Sequence, residues 1–250
     1  MQMTKQNLYA HMDDHVKNAV AYFWNTRHAQ QVKQLQAGTS DQGNRGNVTG
    51  GKQLDGFVDL VKQALLLYGL PGECIFTNSA LELPGYYRPN KKWDLLAVYD
   101  NHLVAAVEFK SQVGPSFGNN FNNRTEEAMC SALDLWTAYR EGVFGAQIEP
   151  WLGYIMLLEE CPRSITPVAS LSPHFPIMEE FIGASYKERY KIFCKKLMLE
   201  RQYSAACLIT TRRDTNDLGN YKIPDGCLSF SDFIASLTAR IDAAVRGNML

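Results

Sequence analysis

WDLLAVY at residues 93–99 and LVAAVEFK at residues 103–110 are two apolar runs separated only by Asp100, Asn101 and His102. Short aliphatic runs bounded by polar turn residues predict two β-strands joined as an antiparallel hairpin. Both runs are almost continuously apolar instead of alternating with polar residues. We therefore expect both faces of the sheet to be covered by helices.

Three charged residues stand at the open end of this hairpin: Asp94, Glu108 and Lys110. Glu108 and Lys110 are two residues apart on one strand, so both side chains should leave the same face, roughly 6.6 Å apart. Hydrolysis of a phosphodiester needs an activated water and compensation of negative charge at phosphorus. A magnesium ion held by carboxylates and carbonyls supplies both.

The layout thus indicates a metal-dependent phosphodiesterase site. Asp94 and Glu108 would hold Mg²⁺ together with the main-chain carbonyl of Phe109, and Lys110 would position or deprotonate the water. The alternative is an ordinary buried hairpin with solvent-facing charges at its ends, and the pattern alone favours neither interpretation.

Strand parity constrains the turn. A two-residue loop at Asp100 and Asn101 would place Asp94 opposite Val107, which would leave Glu108 on the wrong face. A three-residue loop, or a bulge in one strand, would place Asp94 opposite Glu108. We predict one of these two.

The remaining chain predicts an α/β fold with a mixed central sheet flanked by helices. Helical spacing of apolar residues predicts helices near residues 8–36, 54–68, 125–140, 186–197 and 230–245, and apolar runs predict strands at 151–158 and 204–211. Ser229-x-x-Asp232 is a candidate N-cap for the last helix. We expect one domain over residues 1–250, with a helical segment (about 1–70) packed on a catalytic core (about 71–250).

Composition excludes several classes. A net charge of −1 does not favour a strongly basic nucleic-acid binder, although a local basic face is compatible with it. The six cysteines are scattered without metal-ligand spacing, which argues against a zinc site or a disulfide framework and favours a reducing compartment. No run approaches the roughly 20 apolar residues of a membrane span, so no membrane partner is expected.

The hairpin and its surroundings resemble the PD-(D/E)xK nuclease superfamily, and more closely the XhoI-type family of type II restriction endonucleases. The resemblance lies in residues 92–96, in residues 104–124 (VAAVEFKSQVGPSFGNNFNNR) and in the predicted helix from Glu126 to Trp136. Asp94, Glu108 and Lys110 match the superfamily's catalytic positions. The chain departs from the superfamily pattern at Trp93, which stands where proline often precedes the first aspartate.

The resemblance implies a restriction-endonuclease-like core and a Mg²⁺-dependent enzyme. Such an enzyme would act as a homodimer on a palindromic six-base-pair site in double-stranded DNA, expected to be CTCGAG, and would leave a 5′-phosphate. A bacterial cytoplasmic location is expected, with a cognate methyltransferase in the same system but not as a stable partner.

Further contacts are suggested by residue type. Gln112 and Asp59 are candidates for support of the metal site. The alternative for Gln112 is a polar strand end, and for Asp59 the pattern favours a solvated helix face. Amide and basic side chains can contact bases or phosphates. The candidates for DNA contact are Asn44, Arg45, Lys91, Lys92, Asn119, Asn120, Asn122, Asn123 and Arg124. The alternatives are a flexible Gly-rich loop around Asn44 and a polar turn before a helix at Asn119 to Arg124.

Three other functions compete with this hypothesis. A repair or recombination nuclease of the same superfamily would not cut one fixed short sequence. A non-catalytic DNA-binding module would not need the intact acidic and lysine positions. A metabolic α/β protein with an accidental Glu-x-Lys would show no affinity for DNA.

Overall fold

The computed structural model describes residues 4–36, 52–213 and 215–247. The helices are α1 (Lys5–Ala10), α2 (Met12–Gln36), α3 (Asp55–Leu67), α4 (Gly118–Arg140), α5 (Pro162–Ile165), α6 (Tyr186–Leu199) and α7 (Phe230–Val245). The strands are β1 (Ile75–Phe76), β2 (Glu82–Pro84), β3 (Asn90–Lys92), β4 (Leu95–Tyr99), β5 (His102–Gln112), β6 (Trp151–Glu159), β7 (Ala205–Thr211) and β8 (Tyr221–Lys222). Across these described residues, no helix is both long enough and apolar enough to cross a membrane.

A mixed sheet forms the centre of the fold, as predicted. Within the described residues it has six strands in the order β1-β4-β5-β6-β7-β8. β5, β6 and β7 are parallel to one another. At the edges, β4 pairs antiparallel with β5, β1 pairs antiparallel with β4, and β8 pairs antiparallel with β7. β2 and β3 form a separate two-stranded hairpin.

Helices cover both faces of the sheet, as the apolar strands predicted. One core cluster joins side chains of α2, α3 and α7, such as Phe23, Phe57 and Phe233, to Val107 of β5. The other joins Ala132 of α4 and Tyr190 of α6 to the opposite sheet face. Helix α7 begins where predicted, since the Ser229 hydroxyl accepts a hydrogen bond from the Asp232 N–H at 3.0 Å.

The central hairpin contains the predicted bulge. Its turn has only two residues, Asp100 and Asn101, both with positive φ (49° and 60°), the conformation that a tight hairpin turn requires. Ala97 pairs with Ala105 but Val98 pairs with Leu103, so Val104 is the extra residue. Beyond the bulge Leu95 lies opposite Val107, and the same register places Asp94 opposite Glu108.

Candidate active site

Asp94 and Glu108 share the face of the hairpin that is turned towards α4 and α6. Leu96 and Ala106 belong to the core cluster on that face, whereas Leu95 and Val107 belong to the opposite cluster. Side chains alternate along a strand, so Asp94, Glu108 and Lys110 project with Leu96 and Ala106. The bulge at Val104 is what brings the two carboxylates into this register.

Asp94 also completes the end of the sheet. Its Oδ2 accepts a hydrogen bond from the Phe109 N–H at 2.8 Å, immediately before β4 begins. The N–H and C=O of one strand residue leave the same edge. The carbonyl of Phe109 is therefore directed towards the same edge as Asp94, which suits the ligand role predicted for it.

Glu108 is buried between two ammonium groups. It is 2% exposed, its Oε1 lies 2.5 Å from Lys110 Nζ, and its Oε2 lies 3.1 Å from Lys91 Nζ. The contact of Oε2 with Lys91 is an ion pair, and Oε2 accepts no further hydrogen bond among the described residues. A metal ion bound at this oxygen would compete with the Lys91 ammonium.

The electrostatics keep the central pair ionised. Burial pushes the pKa of Glu108 upward, but the charges of Lys110 and Lys91 outweigh it and hold this pKa below its usual value. Burial likewise opposes the charge on Lys110, yet Glu108 and Asp94 raise the pKa of Lys110. For Asp94 burial dominates and raises the pKa, in spite of Lys110 and the Phe109 N–H.

Trp93 has a structural reason to stand where proline often precedes the aspartate. Its N–H donates to the Leu81 carbonyl at 2.9 Å, a bond that proline could not make. The side chain is 2% exposed, and Lys91 Nζ lies 4.3 Å from its ring centroid. The Trp93 ring and Glu108 together fix the Lys91 ammonium beside the site.

A cleft of about 760 Å³ opens at this end of β5 and is lined by both helical layers. Asp94, Phe109, Lys110 and Gln112 lie on its floor. From α4 it receives Asn120, Asn123, Arg124 and Glu127, and from the α2–α3 side it receives Tyr22, Arg27, Gln53, Asp55, Asp59 and Lys62.

The helix predicted near residues 125–140 begins earlier than expected: α4 already starts at Gly118, so residues 119–124 are helical and do not form the polar turn considered as an alternative. Asparagine is a poor helix former, but local propensity is overridden by packing. Phe117 stacks on Tyr186, with 5.9 Å between ring centroids, and Phe121 packs edge-on against Tyr190 at 5.0 Å.

Because α4 begins at Gly118, the asparagines lie on different sides of the helix. Asn120, Asn123 and Arg124, spaced by a helical turn, face the cleft, whereas Asn119 and Asn122 are exposed and do not line it. The Asn44 and Arg45 candidates lie outside the described residues.

Gln112 serves as a brace between β5 and α4. It is 2% exposed; its Nε2 donates to the carbonyls of Ser116 (3.0 Å) and Phe117 (3.1 Å), and its Oε1 accepts from the Tyr190 hydroxyl. It thus supports the site by fixing the start of α4, and its amide is already engaged by protein groups.

The structure also locates the lysine and Asp59 candidates. Lys91 is the second ammonium beside Glu108, while Lys92 is exposed and lines the cleft. Asp59 faces the cleft, but among the described residues no three acidic, histidine or cysteine side chains are close enough to share a metal ion. Asp59 therefore does not join Asp94 and Glu108.

Sequence reasoning missed Arg27 and Gln53 in the cleft wall. A signal existed for Arg27, because it continues the buried stripe of α2 formed by Val16, Val20 and Phe23 at helical spacing. A charged residue on such a stripe is expected to have a specific partner.

A mixed sheet covered on both faces, with two carboxylates and a lysine at the open end of a central hairpin, fits the class of nucleases that the sequence resembles. Comparison with known proteins narrows this class. Residues 33–223 match the model of the restriction endonuclease XhoI family. The chain is 48% identical over 211 residues to the type II restriction enzyme BstVI of Geobacillus stearothermophilus, covering 82% of this chain and 94% of the relative.

Two further relatives are also type II restriction enzymes. The chain is 46% identical to the type II restriction enzyme XhoI of Xanthomonas vasicola, over 76% of this chain and 77% of the relative. It is 52% identical to the type II restriction enzyme AbrI of Azospirillum brasilense, over 64% of this chain and 72% of the relative. No solved structure matches the chain significantly. The chain belongs to the restriction endonuclease XhoI family and is a type II site-specific deoxyribonuclease.

Proposed function

We propose that this enzyme cuts both strands of double-stranded DNA at a palindromic site, expected to be CTCGAG, with Mg²⁺ as cofactor and a 5′-phosphate on the product. The observation that carries the proposal is the pairing of Asp94 with Glu108 on one face of the bulged hairpin, beside Lys110. The names of the relatives support the restriction activity.

The oxygen donors at the site fit a hard cation. Asp94 and Glu108 are carboxylates, the Phe109 carbonyl is directed to the same edge, and Glu108 Oε2 is a buried oxygen without a hydrogen bond among the described residues. These three residues would hold Mg²⁺. When bound, the ion supplies Lewis-acid stabilisation of the phosphate charge and lowers the pKa of a water molecule.

The residues of the chain contribute orientation and charge. Glu108 fixes Lys110 at the cleft floor through the 2.5 Å ion pair, so its ammonium can contact a phosphate oxygen or the attacking water. The hydrogen bond from Phe109 to Asp94 orients that carboxylate before any ligand arrives. Burial of the floor excludes bulk water and thereby strengthens these charge interactions.

Symmetry supports a homodimer. A palindrome has twofold symmetry, and two copies related by the same axis would each present one cleft to one strand. We infer that the whole chain acts as one domain in this dimer, because α2 and α3 share a core with β5 and β6. The proposed setting is the bacterial cytoplasm, where a cognate methyltransferase modifies the same sequence without forming a stable complex.

The test is digestion of a plasmid of known sequence with Mg²⁺, followed by sequencing of the fragment ends. We expect discrete fragments whose ends map to CTCGAG and which ligate without prior phosphorylation, since ligation requires a 5′-phosphate. EDTA should abolish cutting. Cutting without sequence preference would favour a repair nuclease, and site-specific binding without cutting under any divalent cation would favour a non-catalytic module.

A further inference from the structure

The cleft wall opposite the catalytic lysine contains a buried arginine. Arg27 of α2 is 7% exposed and lines the cleft from the α2–α3 side. Its Nη1 donates to Gln53 Oε1 at 2.8 Å, and Gln53 Nε2 in turn donates to Ser111 Oγ at 3.4 Å. The Arg27 guanidinium is thereby connected to β5 one residue beyond Lys110, on the other face of the strand.

Among the described residues, the carboxylate of Glu159 offsets the charge of Arg27, while the guanidinium of Arg213 opposes it. The neighbouring carboxylate, Glu159, is already engaged by Arg213, with Nε at 2.5 Å from Oε1 and Nη2 at 2.9 Å from Oε2. Glu159 Oε2 also accepts from the Gly114 N–H at 2.7 Å. Two guanidiniums therefore share one carboxylate, and the acceptor that Arg27 contacts is a neutral amide.

Such a guanidinium is costly without an anion. Burial is the main cause that lowers the pKa of Arg27, repulsion from Arg213 adds to it, and Glu159 offsets it only in part. A buried charge is normally retained when a partner of opposite sign completes its environment. Asp55 and Asp59 also line the cleft from α3, but neither forms a hydrogen bond or an ion pair with Arg27 among the described residues.

The position favours a phosphate as that partner. Arg27 lies at the carboxyl end of the parallel strands β5, β6 and β7, where ligands bind in open α/β sheets. A guanidinium presents paired N–H donors whose geometry matches two phosphate oxygens. Among the described residues Gln53 accepts a hydrogen bond from Arg27 Nη1, which orients Arg27 from one side and leaves its other donors for such a ligand.

We propose that Arg27, oriented by Gln53, binds a DNA backbone phosphate that flanks the phosphate being cut. This subsite rests on the proposed function, since it requires DNA in the cleft. It would contribute affinity and strand position without reading sequence, because phosphates are the same at every base pair.

The experiment measures binding of a fluorescent duplex by anisotropy in Ca²⁺, between about 50 and 200 mM salt. It compares a duplex containing the cleavage site, as mapped by plasmid digestion, with one of equal length lacking it. The variant is Arg27→Gln, and the matched control is Arg140→Gln, an exposed arginine in the last turn of α4.

We expect Arg27→Gln to weaken binding of both duplexes by about tenfold and to reduce the slope of log K against log salt by about 0.9 per subunit. Arg140→Gln should change neither.

If folded Arg27→Gln keeps the wild-type salt slope, Arg27 has only a structural role and the proposed phosphate subsite is overturned. This holds whether or not the variant has a lower melting temperature. If Arg27→Gln does not fold, Arg27→Lys takes its place. Lysine keeps the charge but loses the paired donors, so affinity for both duplexes should fall severalfold, and wild-type affinity would overturn the subsite. Failure of the wild-type enzyme to bind either duplex would instead refute the proposed function, and the subsite with it.

Discussion

Asp134 holds the loop that precedes Lys91, and its removal gives a quantitative test of the fold around the site. Asp134 lies on α4 with its side chain 5% exposed. Its Oδ1 accepts from the N–H groups of Tyr86 and Tyr87, both at 2.8 Å, and its Oδ2 accepts from Arg88 Nε at 2.7 Å. This loop joins β2 to β3, and β3 carries Lys91 to Glu108.

The expected cost of Asp134→Ala follows from these three contacts. A hydrogen bond to a charged group contributes about 1.5–3 kcal/mol. Tyr86 and Tyr87 are exposed, so their N–H groups can bond to water in the variant, and the loss of each of these two hydrogen bonds costs closer to about 1 kcal/mol. The Arg88 side chain is 40% exposed, which limits its ion pair to about 1 kcal/mol. The sum is about 3 kcal/mol, or a fall in Tm of about 6–12 °C for a chain of this size.

The pH dependence has a definite sign. Burial raises the pKa of Asp134, but the Tyr87 N–H, Arg88 and the Tyr86 N–H outweigh it and hold the pKa below its usual value. The stabilisation is therefore complete above the unfolded pKa of about 3.9 and is lost as pH falls through the lower native pKa.

Calorimetry or circular dichroism of wild type, Asp134→Ala and the exposed-turn control Asp100→Asn measures this effect. The difference between wild type and Asp134→Ala should be full near neutral pH and shrink in acid, while the control matches wild type throughout. A loss below about 0.5 kcal/mol near neutral pH, or a difference that grows in acid, would refute the reasoning.

Three further predictions concern neighbouring residues. Gly85→Ala should lower Tm by several degrees, because the added Cβ would stand 2.4 Å from the Asp134 carboxylate. A Tm equal to wild type would show that Gly85 and Asp134 are not tightly packed. Tyr190→Phe should cost about 1 kcal/mol in denaturant unfolding, since it removes only the hydroxyl that donates to Gln112; a loss above about 3 kcal/mol would contradict so limited a role. Lys91→Met should increase the affinity for Ca²⁺, measured by titration calorimetry, by about tenfold, equivalent to about 1.4 kcal/mol, because it removes a competing cation. Weaker Ca²⁺ binding would show that Lys91 supports the metal site.

The central hairpin was predictable because its constraints are local. Residue parity alone required an odd loop or a bulge, and the bulge at Val104 satisfies it. The choice between the two was not encoded in the turn, since Asp100 and Asn101 tolerate the positive φ of a two-residue turn and equally suit a longer one.

The features that the sequence did not reveal depend on tertiary contacts. Propensity favours a loop for the asparagine-rich stretch, but Phe117 and Phe121 are anchored on α6 and extend α4 to Gly118. The position of Lys91 beside Glu108 was not predicted, because nothing local in the sequence relates β3 to β5. Arg27 is far in sequence from every other cleft residue except those of its own helix, so only the stripe on α2 points to it.

The central claim is that the bulged hairpin unites Asp94 and Glu108 in a cation-dependent cleavage site. The most direct measurement is single-turnover cleavage, with Mg²⁺, of a duplex containing the mapped site. It compares Glu108→Gln with Glu126→Gln, a matched change at an exposed position of α4 outside the cleft. We expect Glu108→Gln to lower the cleavage rate by about a thousandfold or more, about 4 kcal/mol, while binding in Ca²⁺ shows that the protein is folded. We expect a wild-type rate for Glu126→Gln, and a near-wild-type rate for Glu108→Gln would mean that Glu108 is not part of the cleavage site.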